Sequence, residues 1–169
     1  MGSLRQLFPL IKHLTAKFPD LFQPWYADDA AAAGLLEQLK QCFIELELVG
    51  PRFGYFPECT KSICVVHEDN YAYATNFVAT NKLGWQVVTG ARYLGGHVGM
   101  TEDRAEWLRE KVSSWEMGVQ ELATVAGIYP QSAYAGLQKS LQNEWTYIQR
   151  VVEGTADFFD PLEKTINTK

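Results

Sequence analysis

Apolar residues recur at helical spacing through Leu4, Leu7, Phe8, Ile11, Leu14 and Ala16, which predicts a helix from about Leu7 to Ala16. Pro9 fits such a helix only near its first turn or as a kink, and Phe18-Pro19 ends it because the residue before proline is pushed out of the α region. Leu21 to Tyr26 is then aromatic and β-prone, with Pro24 marking an edge or a strand start, so a short strand leads into Asp28. Ala30 to Ala33 would suit a helix by propensity, but Gly34 interrupts any helix begun there. We therefore read Ala30–Ala33 as a second short strand and start the next helix at Leu35. Its apolar stripe is Leu35, Leu36, Leu39, Cys42, Phe43, Leu46 and Val49, closed by Gly50-Pro51.

Further on, Phe53 to Val66 reads as a hairpin with a turn at Pro57-Glu58, and Glu68 to Lys82 as a helix ended by Gly84. Two β-rich runs, Trp85–Val88 and Arg92–Val98, are joined by Thr89-Gly90, which predicts a second hairpin turn. From Thr101, expected as an N-cap, the pattern is helical to the end. Trp107, Leu108, Lys111, Val112, Trp115, Val119, Leu122 and Val125 give one long helix a mainly apolar face, and Gly127 caps it. Pro130 opens a second long helix with Tyr134, Leu137, Leu141, Trp145, Ile148 and Val152 inward, and Asp160-Pro161 starts a third. The expected fold class is α+β, with small antiparallel hairpins and helices over residues 1–100 and a helical region over 101–169.

Composition narrows the class without deciding it. With 169 residues, 47% hydrophobic and 13% aromatic, the chain can bury a sizeable core in one or two domains. A net charge of -5 gives no general attraction to nucleic acid, so any affinity for phosphate has to come from local clusters or bound metal. Cys42, Cys59 and Cys64 are odd in number and lack zinc-like spacing with the histidines, which makes a reducing, intracellular compartment, cytoplasmic or nuclear, the expectation. No apolar run approaches the roughly 20 residues a bilayer span needs, so no membrane partner is expected.

The candidate chemistry lies in Trp25-Tyr26-Ala27-Asp28-Asp29. Neighbouring Asp side chains on extended backbone point to opposite faces, so both reach one metal only where a tight turn re-aims one of them. Hard carboxylate oxygens suit Mg²⁺, which retains waters and takes substrate phosphates in the rest of its shell. Local pattern by itself favours an Asp that caps a helix on the alanines, leaving a non-catalytic α+β scaffold or protein-interaction module.

Tyr26-Ala27-Asp28-Asp29 resembles the Tyr-x-Asp-Asp signature of reverse transcriptases. Later stretches follow that family's order: a helix, Lys61-Ser62 before a strand, Leu94-Gly95 within a hairpin similar to a primer grip, and a helical tail similar to a thumb. Gly54-Tyr55-Phe56-Pro57 and Tyr93-Leu94-Gly95-Gly96 look like the retrotransposon branch of the family. The resemblance implies an incomplete polymerase palm over 1–100 followed by a thumb-like bundle. It implies an RNA-directed DNA polymerase performing nucleotidyl transfer, with template-primer nucleic acid and dNTP as partners and two Mg²⁺ ions in an intact relative. Asp28 and Asp29 become metal ligands and, with Lys61, catalytic residues. Tyr26, Ala27, Leu94, Gly95 and Gly96 become substrate- and primer-binding. A palm also uses a further aspartate on an earlier strand, and Asp20 beside Pro19 is poorly placed to supply it. The expectation is a C-terminal fragment with a half-site for Mg²⁺, inactive alone.

Overall fold

The computed structural model describes residues 4–26 and 29–167. They form a mixed helical and β structure with three two-stranded sheets, in agreement with the α+β expectation. The chain divides into two compact units, residues 1–64 with 72–87 and residues 65–71 with 88–169. The hairpin carrying Leu94-Gly95 falls in the second of these.

In the first unit, helix α1 spans Leu4–Lys17 and holds Pro9 in its interior. Its buried stripe is Leu7, Leu10 and Leu14, at positions i, i+3 and i+7, while Phe8 of the expected stripe is exposed. Two short strands, β1 (Trp25–Tyr26) and β2 (Asp29–Ala30), pair antiparallel. Helix α2 covers Leu36–Val49 and buries Cys42 and Leu46 against the α1 stripe and Leu21. Leu35, expected in the apolar face, is instead the exposed N-cap.

On the surface, Glu45 of α2 accepts hydrogen bonds from Lys17 Nζ and His13 Nε2 of α1, each at 2.6 Å. The Lys17 bond, and secondarily the His13 bond, hold the Glu45 carboxyl below its usual value of 4.5. Folding thus favours the ionised form, so its contribution is present above pH 4.5 and fades as the pH falls through the lowered value. Replacing Glu45 with Gln is expected to reduce stability at pH 6 by less than about 1 kcal/mol, because the donors are solvent-screened. In denaturant titrations the gap between the two proteins should narrow from pH 5 to pH 3.

The expected hairpin at Phe53–Val66 does not form. Its backbone groups are used locally, in 3₁₀ turns at Gly50–Phe53 and Cys59–Lys61, with Gly54 in the left-handed region at φ 74°. Strand β3 (Ile63–Val65) pairs with a strand from beyond the next helix, β4 (Gln86–Val88). Between them α3 (Glu68–Thr80) ends where Lys82 and Gly84 take φ 53° and 69°.

In the second unit the antiparallel hairpin of β5 (Gly90–Tyr93) and β6 (Gly96–Gly99) turns on Leu94 and Gly95, at φ 48° and 79°. Two left-handed residues in a two-residue loop match the twist of the flanking strands. Thr89-Gly90, expected to be a hairpin turn, instead leads into β5. Helix α4 (Thr101–Ala126) follows, with Met100 rather than Thr101 as N-cap, because Met100 N–H is still tied to Thr89 O at 3.0 Å. Helix α5 (Pro130–Gly136), a π turn at Leu137–Leu141 and α6 (Gln142–Val151) continue one another, and α7 covers Asp160–Asn167. Leu108, Val112, Trp115 and Val119 of α4 form the core with Ile148, Val152, Phe159 and Leu162. Ala133 is buried where Tyr134 was expected, and Tyr134 faces solvent. No helix among the described residues is long and apolar enough to cross a membrane.

Candidate functional site

Residues 22–26 and 29–33 pair antiparallel. Phe22 and Ala33 exchange backbone bonds of 3.0 and 2.8 Å, Ala31 N–H donates to Pro24 O at 3.1 Å, and the register pairs Trp25 with Ala30 and Tyr26 with Asp29. Ala27 and Asp28 lie outside the described residues. Helix α2 begins six residues after Ala30, and Leu35 is its N-cap, so Asp29 caps no helix.

The alternation of extended backbone sorts the two aromatics. Trp25 packs toward the first unit's core, with its ring edge-on to Tyr55 at a centroid distance of 5.6 Å. Its neighbour Tyr26 is 65% exposed, and Asp29, directly across from it, is exposed too. The base of the strand pair is tied to the end of α1 by Gln23, whose Nε2 donates to Phe18 O at 3.0 Å. A two-residue strand pair is thereby held on packed core rather than hanging free.

Lys61 closes the second 3₁₀ turn instead of opening the strand. Its side chain is 77% exposed and pairs with Glu58 at 2.7 Å, not with Asp29. The Lys61 hydrogen bond holds the Glu58 carboxyl below its usual range. Leu94, Gly95 and Gly96 belong to the second unit. Tyr147 O–H of α6 donates to Leu94 O, and a methyl placed on Gly95 would stand 3.1 Å from the Tyr147 ring. Gly96 is likewise backed by Val151 at 3.4 Å. The space that glycine frees at Gly95 is thus taken by this chain's own tyrosine. Neither Glu58 nor Tyr147 was singled out by sequence: an acidic residue three positions before a lysine signals an ion pair only inside a known turn, and Tyr147 reaches Leu94 across 53 residues of sequence.

Among the described residues, no three His, Cys, Asp or Glu side chains converge as metal ligands. Asp29 offers one exposed carboxylate, a single hard-oxygen donor of the kind Mg²⁺ takes, and Asp28 lies outside the described residues. Tyr26 and Asp29 are the two candidate residues that the register brings face to face. No family model, curated protein or solved structure matches the chain.

Proposed function

We propose that the chain is the palm and thumb portion of an RNA-directed DNA polymerase of retrotransposon type, acting in nucleotidyl transfer on a template-primer with dNTP. The observation that carries the reading is the strand pair: Tyr26 and Asp29, the first and last residues of the Tyr-x-Asp-Asp tetrapeptide, face each other across antiparallel strands, where local propensity favoured an alanine helix. In this reading Asp28 and Asp29 hold Mg²⁺, which when bound neutralises phosphate charge and templates in-line displacement. Tyr26 lines the nucleotide or primer end. Lys61, loosely held by an exposed ion pair, is available to a departing pyrophosphate. Leu94 to Gly96 contribute through the outer face of their turn, since Tyr147 occupies the inner one.

Primer extension tests this. The chain alone is expected to give no product with Mg²⁺ and an RNA template, because two adjacent carboxylates make only part of a two-metal site. Joined to the fingers and N-terminal palm segments of a retrotransposon reverse transcriptase, it is expected to extend the primer, and Asp28→Ala should cut the rate by about 10³-fold, the scale on which charge-stabilising groups act in phosphoryl transfer. A folded, active hybrid indifferent to Asp28→Ala would overturn the assignment.

A second reading, a protein-interaction module, has one observation in its favour: Phe22, Tyr26 and Phe56 are exposed aromatics in the same unit. It predicts that a Phe22→Ser/Phe56→Ser pair abolishes partner capture while Asp28→Ala leaves it intact.

A further inference from the structure

The β5–β6 hairpin and the first turn of α4 meet at one crowded point. A methyl built on Gly90 would lie 2.8 Å from His97 Cε1, 2.8 Å from Asp103 Cβ and 2.9 Å from Asp103 Oδ2, so an imidazole and a carboxylate flank the same Cα. His97 Nδ1 and Asp103 Oδ2 are both buried, and neither has a hydrogen-bond partner among the described residues. The imidazole also lies against Trp107 of α4, with centroids 5.6 Å apart and planes at 32°. Gly99, paired with Gly90, closes the base of the hairpin just before Met100 and α4. Buried polar atoms left unsatisfied are costly, and the cost at His97 depends on whether the imidazole carries a second proton.

We propose that His97, Asp103 and Gly90 form a proton-operated clasp, in which proton uptake by the imidazole releases the β5–β6 hairpin from the first turn of α4. The charged groups facing His97 are Asp103 and Arg104 on α4, and Arg92 is its cross-strand partner on β5. Burial pushes the His97 pKa below its usual 6.5 and Arg104 pushes it the same way, while Asp103 opposes them. The closed clasp therefore prefers neutral imidazole, whereas a released hairpin takes up a proton near pH 6.5. Closure is complete above that value and weakens as the pH falls below it, because the open state binds more protons.

The test is backbone hydrogen exchange of the whole chain, corrected for intrinsic rates, together with NMR titration of the His97 ring. Between pH 7.5 and 5.5 the β5–β6 amides should lose protection relative to the amides around Ile148, with a slope that stays below the tenfold per pH unit ceiling for one proton. The ring should titrate below 6.5, lower still in Asp103→Asn and higher in Arg104→Gln, and the onset of hairpin opening should follow it in each variant. In His97→Gln the differential pH response should vanish. Hairpin protection that tracks the Ile148 region at every pH, or a ring that titrates at or above 6.5, overturns the clasp. The Asp103 and Arg104 variants decide the matter even where His97→Gln does not fold.

Discussion

Trp115→Ala is expected to destabilise the second unit by about 3–5 kcal/mol, the usual cost of deleting a large buried aromatic from a packed core. Trp115 is 2% exposed, its ring lies 5.7 Å from that of Phe159 and 6.4 Å from that of Trp145, and its Nε1–H donates to Glu144 Oε2 at 3.1 Å. The substitution opens a cavity among α4, α6 and α7 and leaves the exposed Glu144 carboxylate without this donor. Trp115→Phe keeps most of the contact and loses the hydrogen bond, so it should cost only about 1–3 kcal/mol. Urea unfolding followed by helical circular dichroism separates the two variants. A shift under about 1 kcal/mol for the alanine variant would show that this cluster is not the centre of the unit.

Gly99→Ala should cost about 3 kcal/mol or more, by a different route. Gly99 has φ 133°, and an added methyl would stand 2.3 Å from Thr89 O and 2.4 Å from Gly90 Cα. Both neighbours are backbone, held in register by the hairpin, so they cannot swing aside as a side chain would. Backbone strain of about 1–3 kcal/mol adds to an overpacking cost of similar size. Gly54→Ala is the control: its φ of 74° is also left-handed, but nothing lies within 4 Å, so only about 1–2 kcal/mol is expected. Equal losses at the two positions would mean that conformation rather than contact sets the penalty.

The contrast between these sites also explains which parts of the fold were legible in the sequence. The inward face of α4 was read correctly at Leu108, Val112, Trp115 and Val119 because a long helix repeats its signal many times. The pairing of 22–26 with 29–33 was legible because Gly34 ruled against a helix that alanine propensity favoured. The pairing of β3 with β4 was not, since it joins strands separated by a whole helix and leaves no local mark. The turn at Leu94-Gly95 was missed for a related reason: leucine is rarely the first left-handed residue of a hairpin, so the glycine step at Thr89-Gly90 looked the stronger turn. At the candidate site the residue types were visible, but not what occupies them: Lys61 held by Glu58 and Gly95 covered by Tyr147 are non-local or turn-dependent facts.

The partition of the chain has a consequence for how it is made. Residues 65–71 are grouped with the second unit although the first unit supplies the chain on both sides of them, so the backbone passes between the units three times. During synthesis the first unit is complete only when residue 87 has left the ribosome, and by then a strip of the second has already emerged without the helices it belongs to. The nascent polypeptide must shelter that strip until the last helix is translated, and stalled intermediates released between these points should be cut by protease there first.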